Sequence, residues 1–205
     1  MLIIGLTGSI GMGKSNAAQY LRTLGINVFD ADAEVHRIYD GPILHLIEAT
    51  FPGTITNGKV DRAKLAAAVS QNPGGFKTLE LIVHPLVRQG ARGFLQAEYA
   101  RGVQFAVLEF PLLFETRADQ SVDAIIVVST DALTQRNRVL MRDGMTLEKL
   151  NTLLARQMPD EEKRRRAHFV VDTSGPVTDT HAQIDQVLTE LRGRAGSAYA
   201  RSWEN

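Results

Sequence analysis

The sequence predicts an α/β fold, a mainly parallel sheet flanked by helices, with an inserted helical lobe. Three observations predict it. Short apolar runs alternate with helical periodicities at both ends of the chain. A glycine-rich turn joins the first apolar run to the first helical pattern. Between residue 41 and about residue 100 the spacing is mostly helical.

Taken in order, Leu2–Leu6 reads as a short buried strand. The next pattern predicts a helix from Ser15 to Leu24, with Ala17, Ala18, Leu21 and Leu24 on one face and Gly25 at its C-terminal cap. Ile26–Phe29 is a second strand, ending at D-A-D. The pair Gly41-Pro42 punctuates the chain. Asp61 caps a predicted helix carrying Leu65 and Val69. Leu79, Ile82, Val83, Leu86 and Val87 keep helical spacing around Pro85, which is expected to kink or end that helix. Strand patterns return at Phe105–Leu108, Ala124–Val128 and Phe169–Val171. Between them, Thr130 or Asp131 caps a helix reaching Arg142, and Thr146 caps another through Gln157. Ile184, Val187, Leu188 and Leu191 fall at i, i+3, i+4 and i+7 of a last helix, and the tail beyond Gly193 is expected to fray. The division expected is a core of residues 1–40 and 101–195, with a lid at about 135–160, an inserted lobe at 41–100 and a tail at 196–205.

Composition narrows the function. Hydrophobic residues make up 44% and charged residues 22% of 205, an ordinary globular profile. Lys plus Arg is 23 and Asp plus Glu is 23, which argues against a broad nucleic-acid or anionic-membrane surface. With no cysteine, disulfides and thiolate-held metals are excluded. Neither a signal peptide nor a membrane span is expected, and the cytoplasm and a monomer are the expected location and state.

The glycine turn carries chemistry. Gly8, Gly13, Lys14 and Ser15 satisfy G-x-x-x-x-G-K-[ST] within T-G-S-I-G-M-G-K-S. The loop Gly8, Gly11, Met12, Gly13, Lys14, Ser15, Asn16 can curl so that its N–H groups face an anion. The helix that follows adds its positive end. Lys14 can reach the β- and γ-phosphates of ATP, and the Ser15 hydroxyl can ligate Mg²⁺. A GTPase would need a later N-K-x-D, and none exists. A small-molecule kinase fits 205 residues best.

V-F-D-A-D then places Asp30 and Asp32 at a strand exit, where open α/β sheets bind ligands. A carboxylate there can take the proton of an acceptor hydroxyl during in-line attack on the γ-phosphoryl group. Alternation along a continuing strand would send the two to opposite sides, and Asp32 is the one favoured for the acceptor.

With these residues in view, the chain resembles the dephospho-CoA kinase family from Leu2 to about Gly175. G-L-T-G-S-I-G-M-G-K-S followed by G-I-N-V-F-D-A-D is similar to its opening signature. V-D-R at 60–62, L-E-L-I-V-H-P at 79–85 and P-L-L-F-E at 111–115 resemble further family segments. Gln135, Arg138 and Arg142 resemble its lid, and Gln157, Lys163 and Ala167 the run before its last strand. The resemblance implies ATP-dependent phosphorylation of the ribose 3′-hydroxyl of dephospho-CoA, a nucleotide-binding core, an inserted CoA lobe and a lid. It implies Asp32 as catalytic residue and Gly11–Asn16 as ATP loop. Departures include Glu109 in place of the common Asp before P-L-L-F-E, which puts a water-mediated metal role there in doubt, and Asp172-Thr173 in place of Asp-Asn. The other reading is another P-loop small-molecule kinase, acting on a nucleoside monophosphate or a sugar acid.

Several further residues are weighed. Gln135, Arg138 and Arg142 at i, i+3 and i+7 would share a helical face, two arginines poised for phosphate. Arg62 is a candidate for a substrate phosphate and His84 for a substrate hydrogen bond. Leu112 belongs to a packed loop beside the acceptor. The run Lys163–Arg166 reads as a solvated, dipole-favoured face.

Overall fold

A computed structural model describes residues 1–41 and 43–204. Its central sheet has five parallel strands in the order β2-β5-β1-β6-β7: β1 (Leu2–Thr7), β2 (Val28–Asp30), β5 (Phe105–Glu109), β6 (Ala124–Ser129) and β7 (Phe169–Asp172). The two small strands β3 (Ile55–Thr56) and β4 (Lys59–Val60) form a separate antiparallel hairpin. β1 sits in the middle, paired in parallel with β5 (Ile3↔Ala106) and β6 (Leu6↔Ile126). A strand with parallel neighbours on both sides and both faces covered needs apolar residues throughout, which is why L-I-I-G-L reads without alternation.

The helices are α1 (Lys14–Thr23), α2 (Ala31–Tyr39), α3 (Leu44–Thr50), α4 (Arg62–Gln71), α5 (Gly75–Ala100), α6 (Ala132–Leu140), α7 (Leu147–Leu154), α8 (Asp160–Arg166), α9 (Val177–Leu191) and α10 (Ala198–Ser202). On one sheet face, Leu2, Ile4 and Leu6 of β1 join Ile126 and Val128 of β6. Against them lie Ala17, Ala18 and Leu21 of α1 with Ile184, Val187, Leu188 and Leu191 of α9, all buried. The period of two in the strands and of 3.6 in the helices thus meet in one core.

The chain divides into two compact units, residues 1–29 with 95–205, and residues 30–94. The boundary falls inside α5, between Phe94 and Leu95. The second unit holds α2, α3, the β3–β4 hairpin and α4. That hairpin departs from the mostly helical expectation. Its turn is Asn57-Gly58, both with positive φ (52° and 73°), the pairing favoured in two-residue hairpin loops. The Gly41-Pro42 break falls partly on Pro42, which lies outside the described residues.

Three further expectations are corrected. The helix does not end at Pro85: α5 continues through it, at the cost of one main-chain hydrogen bond. Val83, Val87, Ala91 and Leu95, buried at four-residue intervals, stabilise the helix on both sides of that gap. The chain after Gly193 is not frayed: α10 forms and Trp203 is 1% exposed. Its indole Nε1 donates to Ser121 O at 2.7 Å. The Asp123 carboxylate accepts from the Ser197, Ala198 and Ile3 N–H groups at 2.7–2.8 Å, tying the tail to β1. Finally, the strand at Val28–Asp30 does not run on past Asp30. Asp30 caps α2 by accepting from Ala33 N at 2.9 Å, so strand alternation does not orient Asp32.

Candidate active site

The reversal of strand order lies at β1, the place where open α/β sheets bind ligands beyond the carboxyl ends of their strands. The glycine loop leaves β1 at that point and enters α1 at Lys14. Gly11 and Gly13 have φ of 80° and 88°, a region closed to most side chains. Close packing also excludes side chains there. A Cβ at Gly11 would lie 2.6 Å from Val139 Cγ2 and 3.0 Å from Gln135 O, and one at Gly13 would lie 3.1 Å from Thr173 Oγ1. The glycines expected for phosphate therefore also let α6 and the loop after β7 approach. Gly8 packs against Val128 in the same way, and Met12 is buried.

Among the described residues, the main-chain N–H groups of Gly11, Gly13, Lys14 and Ser15 have no acceptor in the protein. α1 has Gly13 at its N-cap with no side-chain cap and no acid in its first turn. Its first turn thus presents uncancelled donors, as an anion site requires. Ser15 and Asn16 are exposed.

Lys14 Nζ lies 2.7 Å from Glu109 Oε1, with side-chain exposures of 14% and 4%. Arg22 Nη2 approaches the other Glu109 oxygen at 3.7 Å. The Glu109 carboxylate, at the end of β5, is thus engaged by two cations. Ser15 offers a hydroxyl oxygen that makes no hydrogen bond to the described residues. Among those residues no cluster of three or more His, Cys, Asp or Glu side chains can cage a metal. A single hydroxyl is a donor set compatible with Mg²⁺, which keeps several waters and shares substrate phosphates instead of entering an all-protein cage.

Beyond the loop, the Thr173 hydroxyl donates to Met12 O at 2.9 Å. Arg138 places Nη1 3.0 Å from Thr173 Oγ1 and Nη2 2.6 Å from Thr173 O. Thr173 was legible in the sequence only as a departure in the residue after Asp172. The Asp172 carboxyl is held below its usual range by the Ser174 main-chain N–H, then by its hydroxyl, with Arg164 adding to the effect. Gln135 and Gln157 both reach Ile10, in the middle of the loop.

The predicted trio Gln135, Arg138 and Arg142 does not share a helical face. α6 ends at Leu140 with a tightened last turn, Arg142 N donating to Val139 O at 3.1 Å. Arg142 is exposed beyond the helix, while Gln135 is buried and Arg138 half-buried. Lys163 also departs from expectation. Arg164, Arg165 and Arg166 are exposed, but Lys163 is fully buried. Its ammonium meets Glu115 Oε1 at 3.0 Å and Pro111 O at 3.3 Å, at the head of the loop that carries half-buried Leu112.

The remaining candidates belong to the second unit. Asp32 is exposed in the first turn of α2. Arg62 is exposed at the start of α4, capped by Asp61, which accepts from the Ala63 and Lys64 N–H groups at 3.1 Å. Burial pushes the Tyr39 phenol up, and the Arg62 charge partly opposes this. His84 is exposed on α5.

A glycine loop with unspent N–H donors, followed by a lysine and set on the central strand of a parallel sheet, defines a P-loop nucleotide-binding protein. The family model for dephospho-CoA kinase matches residues 2–179. A dephospho-CoA kinase from Mesorhizobium japonicum is 50% identical over 197 residues, covering 96% of this chain and 100% of its own. A Thermus thermophilus crystal structure superposes with a TM-score of 0.79 at 35% identity, covering 94% of this chain and 98% of its own. The dephospho-CoA kinase from Campylobacter jejuni superposes at 0.70 with 29% identity, covering 92% of this chain and 96% of its own. The chain belongs to the dephospho-CoA kinase family.

Proposed function

We propose that this kinase transfers the γ-phosphoryl group of ATP to the ribose 3′-hydroxyl of dephospho-CoA, giving CoA and ADP. The observation that carries the reading is half-identity to a dephospho-CoA kinase over the full length of that relative. The unpaired loop donors support it independently, because they provide a place for a polyphosphate.

In this reading the N–H groups of Gly11, Gly13, Lys14 and Ser15 and the Lys14 ammonium hold the β- and γ-phosphates. The Ser15 hydroxyl holds Mg²⁺, and the ion, when bound, neutralises charge on the phosphate oxygens. Asp32 accepts the proton of the 3′-hydroxyl as its oxygen bonds to the γ-phosphorus and the bond to the leaving ADP oxygen breaks. Arg138 and Arg142 stabilise charge on the migrating group. Arg62, His84 and Leu112 contact the acceptor. Residues 41–100 serve as the CoA-binding lobe and about 135–160 as the lid.

The test is an ADP-release assay on purified protein with dephospho-CoA, AMP, CMP and gluconate as acceptors. Turnover of dephospho-CoA above the other three is expected. Equal or faster turnover of AMP, CMP or gluconate would reject the assignment in favour of a nucleotide or sugar-acid kinase.

A further inference from the structure

Ile10 sits midway along the phosphate loop, and both of its main-chain hydrogen-bonding groups are taken by glutamine side chains from distant parts of the chain. Its N–H donates to Gln157 Oε1 at 3.0 Å. Its carbonyl accepts from Gln135 Nε2 at 2.8 Å. Gln135 lies on α6, is 7% exposed, and its side chain and carbonyl also line the space that Gly11 leaves empty. Gln157 lies just past α7. The two amides use opposite ends, one accepting and one donating, so the Ile10 residue is held in a single orientation.

The loop needs such support. Within itself it makes few bonds, among them Met12 N to Ser9 O at 3.1 Å. Among the described residues the N–H groups of Gly11, Gly13, Lys14 and Ser15 face no acceptor, and these four are the donors left for an anion. A backbone with unspent donors is free to collapse onto its own carbonyls unless those carbonyls are engaged elsewhere. Gln135 engages the Ile10 carbonyl, and Thr173 engages that of Met12.

We propose that Gln135 and Gln157 are positioning residues: by gripping Ile10 from both sides they hold the phosphate loop open for ATP and join it to both ends of the segment 136–156. Neither touches the reacting atoms. The inference rests on the reading that this loop holds ATP phosphates, and the measurement on the unmodified protein tests that reading separately.

The experiment compares Gln135→Glu with Gln157→Glu by calorimetric titration of ATP and, separately, of dephospho-CoA. Both substitutions add the same charge beside the same loop, so repulsion of ATP is common to the pair. They differ in hydrogen-bond polarity. Gln157→Glu still offers an oxygen to the Ile10 N–H, whereas Gln135→Glu sets an oxygen against the Ile10 carbonyl. The Kd for ATP is expected to be about tenfold higher in Gln135→Glu than in Gln157→Glu. Dephospho-CoA affinity should stay within about twofold of the parent in both. Gln135→Met and Gln157→Met, which keep length and lose the hydrogen bond, should each weaken ATP about tenfold, and together less than the product of the two. Equal ATP affinities for the two glutamate variants, or a full product for the double methionine variant, would overturn the clamp. If Gln135→Glu fails to fold, the methionine set alone decides. Failure of the unmodified protein to bind ATP would instead overturn the nucleotide reading.

Discussion

Lys14 Nζ and Glu109 Oε1 meet at 2.7 Å, so the phosphate-loop lysine is held by an acid from the end of the neighbouring strand β5. Glu109 is 4% exposed, and if the lysine leaves, only Arg22 among the described residues, at 3.7 Å, remains beside it as a cation. Lys14→Ala should therefore lower stability by about 3 kcal/mol as well as abolish tight ATP binding. Glu109→Gln should retain ATP binding. Urea denaturation and nucleotide titration of both variants check this, and an unchanged stability for Lys14→Ala would contradict the assignment of a burial cost to Glu109.

Asp32→Asn keeps the size of the side chain and removes its basicity. ATP affinity should be retained, while turnover of dephospho-CoA falls by about 10²–10⁴. Single-turnover kinetics with saturating ATP measure it. Wild-type turnover would remove Asp32 from the proton transfer.

Arg138 uses two guanidinium nitrogens on Thr173, and this fork is available to arginine and not to lysine. Arg138→Lys should lower turnover by about 10²-fold, close to the loss in Arg138→Ala. Steady-state kinetics decide, and full activity in the lysine variant would mean that charge alone suffices.

Lys163 is fully buried against Glu115 and Pro111 O, next to the loop proposed to face the acceptor. Lys163→Met should destabilise the protein by about 3 kcal/mol, because it removes one partner of a largely buried ion pair and leaves Glu115 without its cation. Adding Glu115→Leu should recover part of the loss. Thermal unfolding of the two variants tests the pair, with no recovery in the double variant as the contrary result.

Asp61 caps α4, and the Lys64 main-chain N–H, with lesser help from Lys64 charge, the Ala63 N–H and Thr56, holds its carboxyl below the ordinary 3.8. Because the folded value is depressed, the stabilisation is fully present above about pH 3.8 and disappears as pH falls through the lower folded value. Asparagine still caps a helix but carries no charge. Asp61→Asn should be less stable than the parent at pH 7, and the part of that difference owed to the carboxylate should vanish once pH has fallen below the depressed folded value. A stability difference constant from pH 7 to pH 2 would exclude the carboxylate as its origin.

The sequence by itself determined the features that depend on a few consecutive residues. The glycine loop and its lysine, the unbroken apolar strand β1, the cap at Asp61 and the heptad-like face of α9 all follow from local spacing, because periodicity and φ preference act over one or two turns of chain. The Asn57-Gly58 hairpin carried the same kind of signal, in two strands too short to stand out from their helical surroundings. What only the tertiary structure decided concerns partners far apart along the chain. Lys163 reads as one of four similar basic residues until Glu115 is found beside it, Trp203 reads as tail until Ser121 accepts its N–H, and Ile10 reads as a spacer until two glutamines grip it. Each of these groups is stable where it lies because a buried polar atom needs a partner, and packing of the whole chain chooses that partner.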